Sequence, residues 1–316
     1  MTVHAETPGA SSRSVAEMAS SAVAIEAPSR AVIALYFAAV AAMVLRIALL
    51  DEWSAASWCV LIAFAITAGP DRLTPTKRHL IGGVLFFAVL CWAVAYLPTL
   101  WFEIAFLLNH ASHYLWNANA TMARIPGNDG HFLWSHDSER ALSLMRWVYL
   151  TGFDMVVWIP VVRSLIGFDA VKTARYALGA HLVQFPLIMP FYTAIRVDEV
   201  WTVLGHADRC ARGWSEELRR DLGANCFPSM HTSVAFAVLL ISLREKSRVY
   251  RALMVVYSIA IILSTVYLEI HWLIDVAGGL LLGTASVRIA DAMIAYAQSR
   301  NPHSDPNTRS TTVRGV

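Results

Sequence analysis

The sequence predicts an all-α polytopic membrane protein, on three observations. Hydrophobic residues make up 57% of the chain and charged residues only 15%, against ~45–50% and ~25% in soluble domains. Mean hydropathy is +0.51. Apolar runs near 20 residues, the length that crosses a ~30 Å hydrocarbon core, recur along the chain. A net charge of +2 carries no signature of a nucleic-acid partner.

The first 28 residues are rich in Ala, Ser, Thr and Glu, with no aromatic residue and no unbroken apolar core. They read as a disordered cytoplasmic tail and not as a signal peptide. About eight spans follow, at Ala31–Leu50, Trp53–Gly69, Leu80–Pro98, Leu144–Val162, Ala174–Tyr192, Ser229–Leu243, Ala252–Leu268 and Trp272–Ile289. The sixth is short, as expected of a helix that begins in a protein-lined cavity. Thr99–Ser143 does not read as a span: it holds four His, two Arg and several aromatics, and suits an extramembrane or interfacial insert. Trp101, Trp116, Trp134 and Trp147 suit the headgroup level. The polar segment 299–316 reads as a second disordered tail. Residues 29–298 are thus expected to form a single transmembrane domain.

Basic residues orient the spans. Asp51-Glu52 links the first two spans without a positive charge. Arg72, Lys77 and Arg78 follow the second, Arg163, Lys172 and Arg175 the fourth, and Arg244, Lys246, Arg248 and Arg251 the sixth. These three linkers are expected on the cytoplasmic side, with both termini. Thr99–Ser143, the loop 193–228 and the junction of the last two spans then face the periplasm or a lumen. In that loop five Arg are balanced by six Asp and Glu.

The reactive residues fall on that outer side. In Cys226-Phe-Pro-Ser-Met-His231, Pro228 and Ser229 open a helix. Backbone N–H groups near Met230 and the positive helix end suit a phosphate beside His231. In Ser264-Thr-Val-Tyr-Leu-Glu-Ile-His271-Trp-Leu-Ile-Asp275, His271 and Asp275 are four apart and share a helix face. The carboxylate fixes the tautomer of the ring. An ionisable pair inside a membrane is costly and marks a functional site. Ser264, two turns before His271, either joins that face or bonds back to its own helix.

Together these segments resemble the type 2 phosphatidic acid phosphatase superfamily, through Pro228-Ser229-Met230-His231 and Ser264…His271…Asp275. Their variants resemble the inositol phosphorylceramide synthase branch in particular, with Gly278 and Gly279 following. The resemblance covers about 178–283 and hardly touches the N-terminal half. It implies a six-helix catalytic bundle with two spans ahead of it, membrane lipid substrates, and neither metal nor cofactor. It further implies a phosphohistidine on His271, with Asp275 orienting that ring. His231 would serve as proton donor and then base. Ser229, Ser264 and the Met230 amides would hold the phosphate oxygens.

Two departures bear on the substrate. Thr265 stands where the family has Arg, and the upstream Lys–Arg-Pro signature is absent, leaving Arg196 as the nearest phosphate-binding substitute or else an interfacial anchor. Arg209 and Arg212 could also fold back toward the site. With fewer cations, a singly charged diester suits the site better than a monoester of about −1.5 to −2. The expectation is therefore transfer of a phosphoryl-headgroup to a hydroxyl. The alternatives are a lipid or polyprenyl phosphate phosphatase on the same histidines, and a non-catalytic lipid-binding or transport protein.

Secondary expectations complete the reading. Asp198 and Glu199 are candidate acceptors for a polyol headgroup, or ordinary solvated loop charges. His110 and His113, with Glu103 nearby, make a weak metal set, and a gating insert fits them better. Gly279 and Gly283 form a small-xxx-small face for close helix packing. Cys59 and Cys91 are expected as free, buried thiols. Cys210 and Cys226, both in the outer loop, are expected to pair as a disulfide.

Overall fold

A computed structural model describes residues 27–111, 114–134 and 138–300. The expected tails, up to residue 26 and from 301, lie outside the described residues, as does His113; the side chain of His110 does too. The chain is all-α, 76% helical with almost no strand.

Serine starts helix after helix, because its hydroxyl accepts an N–H that the first turn cannot satisfy internally. Ser29 opens α1 (Arg30–Leu50) and Ser54 opens α2 (Ala55–Ala65), which runs on as a 3-10 turn, Ile66–Asp71. α3 is Lys77–Ala111. Ser138 opens α6 (Glu139–Trp147), which passes through a π-helical turn, Val148–Gly152, into α7 (Phe153–Ile166). Between α3 and α6 lie strand β1 (Trp116–Asn117), α4 (Asn119–Arg124) and α5 (His131–Trp134). α8 (Ala170–Tyr176) likewise continues through a π-helical turn, Ala177–Leu182, into α9 (Gln184–Ala194). β2 (Ile195–Arg196), α10 (Val200–Leu204) and α11 (Glu216–Leu222) form the outer loop. Ser229 and Ser247 then open α12 (Met230–Ser242) and α13 (Arg248–Tyr267), and α14 (Leu273–Ser299) ends the fold.

All eight expected segments are helical. Five are long and apolar enough to cross a membrane, and two more, Ala55–Asp71 and Met230–Ser242, are apolar but shorter. The remaining one, 170–194, is broken by its π-helical turn. One boundary needs correction. The helix α3 does not stop at Pro98 but continues to Ala111, so the first third of the expected insert is helical, while the candidate span within α3 ends at Tyr96. A proline inside a membrane helix removes one hydrogen bond without ending the helix.

The three basic linkers meet at one end. Asp71 accepts from Arg163, from Lys172 Nζ at 3.3 Å, and from the N–H groups of Lys246 and Ser247 at 2.7 and 3.2 Å. Glu245 accepts from Lys172 at 2.6 Å and from the Tyr176 hydroxyl at 3.2 Å, and pairs with Arg163 at 3.2 Å. Asp71, Arg163 and Glu245 are buried. This satisfied network ties the second span to α7, α8 and the α12–α13 linker, as buried charges require.

The other end carries the outer loop and the folded segment after α3. Its β1 pairs in parallel with β2, Trp116 beside Ile195 and Asn117 beside Arg196. Ala118, Met122 and Asn128 are buried there, so this segment is part of the packed structure and not a detachable cover. Cys59, expected to be buried, faces outward, whereas Cys91 is half-buried.

Candidate active site

Three approaches bring α12 and α14 together at the end away from the basic linkers. The N–H of Ser229 donates to the carbonyl of Asp275 at 3.0 Å. A Cβ at Gly279 would stand 2.6 Å from the Ser229 carbonyl oxygen and 2.8 Å from Thr232 Cβ. One at Gly283 would stand 2.6 Å from the Ser233 carbonyl oxygen. Only glycine permits such backbone proximity, so the small-xxx-small face does bring the helices into close contact.

The contact sets the histidines face to face. His231, in the first turn of α12, and His271, just before α14, have ring centroids 6.0 Å apart, inclined at 55°. Asp275 is fully buried behind His271, its Oδ2 3.6 Å from His271 Nδ1. That contact is longer than a hydrogen bond. The same Oδ2 accepts from Trp272 N–H at 2.9 Å. His271 Nδ1 and Asp275 Oδ1 are buried without a hydrogen-bond partner.

The turn before His271 is fixed by Thr265, whose carbonyl accepts from both Ile270 and His271 N–H, at 3.0 and 3.1 Å. Glu269 takes a positive φ of 57° to make that turn. Thr265 is fully buried, so the position where the resembling family carries Arg points no cation at the site.

Sequence reasoning did not identify the residues that hold His231. Tyr149 stacks on its ring at 4.6 Å and 26°, and Phe153 lies against it at 4.2 Å. These two are four residues apart, Tyr149 within the π-helical turn of the fourth span and Phe153 just after it. Their aromatic i, i+4 spacing was the available signal. Asn128 is the other: it holds the start of α14, donating nothing to the rings but accepting from Leu273 and Ile274.

The remaining expected residues are placed as follows. Ser229 is buried and caps α12, accepting from Thr232 N–H at 3.2 Å. Met230 N–H lies against the Tyr192 hydroxyl, which also donates to the Pro228 carbonyl at 3.1 Å. Ser264 donates back to the Ile261 carbonyl at 2.7 Å, the structural reading of that hydroxyl. Arg196 pairs with Asp198 at 3.1 Å and borders a surface cavity of about 580 Å³ shared with Thr202, Glu216, Glu217, Arg219 and Arg220. Asp198 also accepts from Asn119 at 2.7 Å.

Two expectations are corrected. Glu199 does not face a headgroup: it is buried, takes both arms of Arg212, at 2.9 and 2.6 Å, and accepts from the Trp201 indole. A buried carboxylate needs such a partner. The Cys210–Cys226 disulfide does not form, and both thiols are free. They lie in separate apolar clusters, Cys210 with Tyr149, Trp201 and Leu268, and Cys226 with Ala118, Val197 and Trp272. Burial pushes the Cys210 thiol up to about 12 and raises that of Cys226 as well.

Four arginines of this end are paired with carboxylates: Arg196 with Asp198, Arg209 with Glu269, Arg212 with Glu199 and Asp208, and Arg219 with Glu216; Arg146 donates to the Arg209 carbonyl instead. Arg212 is the arginine whose field reaches the His231 ring. Burial would raise the Asp208 carboxyl, but hydrogen bonds from Arg212 and from the Arg212 and Cys210 amides outweigh this and hold it below the usual carboxylate range.

Compared with known proteins, residues 197–299 match the family model of the PAP2 superfamily. The match takes in both histidines, Asp275 and helices α12 to α14, and supports chemistry of the phosphatase or phosphotransferase type on phosphate esters. No curated protein and no solved structure matches the chain.

Proposed function

We propose, with that superfamily match as the premise, that the chain is a membrane phosphotransferase of the inositol phosphorylceramide synthase type. It would move a phosphoryl-headgroup from a lipid donor to a lipid or polyol hydroxyl. The observation that carries the reading is the 6.0 Å separation of the His231 and His271 rings with Asp275 behind the second. Ring centroids that close let one nitrogen of each ring approach a single phosphorus atom at contacts of about 3–3.5 Å.

In this reading the Nε2 lone pair of His271 attacks phosphorus, its Nδ1–H turned to Asp275. The bond from phosphorus to the leaving oxygen breaks, and protonated His231 gives that oxygen its proton. Tyr149 and Phe153 offer aromatic faces that suit a cationic ring. Neutral His231 then takes the proton of the acceptor hydroxyl, whose oxygen attacks phosphorus as the bond to His271 breaks. The pairing of Arg196, Arg209, Arg212 and Arg219 with carboxylates supports a singly charged diester as donor, because a dianionic monoester gains more from uncommitted cations.

Residues 29–298 act in this reading as one catalytic domain, with the site on the extracytoplasmic side and both termini in the cytoplasm. The Asp71–Arg163–Lys172–Glu245 network supports that orientation, since it gathers the basic linkers at the end away from the histidines. The test is purified protein supplied with labelled phosphodiester and phosphomonoester lipids, with and without hydroxyl acceptors. Headgroup transfer that depends on acceptor is expected. Inorganic phosphate as the main product would favour the phosphatase, and turnover unchanged in H271A would remove both.

A further inference from the structure

We infer that Asn128, outside the family-matched residues, is a positioning residue for His271; this rests on the reading of His271 as the reacting group. A helix leaves its first N–H groups without internal partners. At the start of α14 the next two after Trp272 go to one residue from far earlier in the chain. Leu273 N–H donates to the Asn128 carbonyl at 2.8 Å, and Ile274 N–H donates to Asn128 Oδ1 at 3.0 Å. Asn128 is only 3% exposed. It is itself fixed by Nδ2, which donates to the Met122 carbonyl at 3.0 Å, and by its N–H, which donates to the Ile125 carbonyl at 3.2 Å.

The turn it holds is the one that carries the chemistry. Trp272 N–H donates to Asp275, and His271 N–H donates to Thr265. The His271 peptide is thus held on one side by the end of α13 and on the other by the segment containing Asn128. A second route reaches the same turn. Asn119 grips Asp198 through two hydrogen bonds, at 2.7 and 2.8 Å, and the Asp198 carbonyl accepts from the Trp272 indole at 3.0 Å. Both asparagines act on His271 through its neighbours.

The experiment uses full-length protein in nanodiscs, with N128A, N128D and H271Q variants. N128A removes the Ile274 acceptor, whereas N128D keeps it and loses only the bond to Met122. Two readouts are taken: kcat and KM with a phosphodiester lipid, and the 15N shifts of the His271 ring nitrogens, assigned by their loss in H271Q. Misplacement by about 1 Å costs on the order of a hundredfold. N128A is therefore expected to lose about ten- to a hundredfold in kcat with KM within about threefold. Its His271 shifts should move toward a mixture of tautomers while those of His79, at the opposite end, stay put, and N128D should restore both.

N128A with wild-type kcat and wild-type His271 shifts would overturn the inference. If N128A does not fold, N128D decides: folded but inactive, with altered His271 shifts, it would also overturn it. H271Q that keeps its turnover would sink the catalytic reading, and the ring shifts, which need no activity, would still decide the positioning.

Discussion

Replacing Gly279 by Ala probes the contact on which the site depends. The added Cβ would stand 2.6 Å from the Ser229 carbonyl and 2.8 Å from Thr232 Cβ. Neither can swing away, because one is backbone and the other is next to it. Reaching an ordinary contact of 3.4 Å asks the two helices to separate by about 0.8 Å. Overpacking of this kind costs about 1–3 kcal/mol of stability. The larger effect is on geometry. Ser229 lies two residues before His231, and Gly279 one turn after Asp275, so the separation falls between the rings. A displacement near 1 Å is worth on the order of a hundredfold in rate. The assay is lipid headgroup turnover by purified G279A beside its thermal midpoint. Gly69→Ala serves as control, since a Cβ there meets nothing within 4 Å. G279A with wild-type rate and midpoint would show that the helices do not approach as described.

Three other predictions follow from the same contacts. Asp71→Asn removes a buried carboxylate that holds Arg163 and Lys172, and is expected to cost about 3–5 kcal/mol; Asp291→Asn, in half-exposed pairs with Arg175 and Arg244, should cost under ~1 kcal/mol, and thermal midpoints in one detergent compare them. Asp208 has its carboxyl held below its unfolded value of ~3.9 by Arg212, so its stabilising effect is full above that value and lost as pH falls through the folded one; acid unfolding of the outer loop, followed by hydrogen exchange, should be steeper in wild type than in D208N. Cys210 and Cys226 are free and buried, so non-reducing mass mapping should find two thiols that alkylate only after denaturation, and a 210–226 crosslink would contradict the packing.

The sequence made the helices legible because apolar length is a one-dimensional property. Each expected span is helical, and the candidate pair is readable because His271 and Asp275 are four residues apart, although His271 precedes α14 and does not share a helix with Asp275 as expected, and because Pro228-Ser229 announces the start of α12. What it hid depends on packing between distant segments. Pro98 reads as a stop, yet α3 continues through it. The outer cysteines read as partners because both are in one loop, yet α10 and the Trp201 cluster hold Cys210 apart from Cys226. Glu199 reads as exposed loop charge until Arg212 folds back onto it. Asn128, in Gly-Asn-Asp-Gly, reads as a turn residue; its role exists only where α14 begins. The π-helical turn Val148–Gly152, which carries Tyr149, had no counterpart in the periodicity.

The central claim is that one phosphorus atom is passed through His271. Protein given a lipid donor labelled in its phosphoryl group, quenched in alkali and digested, measures it directly. The account predicts acid-labile label on the peptide carrying His271, absent in H271Q and accumulating in H231A with a reactive donor. Label on another residue, or full turnover in H271Q, would contradict it.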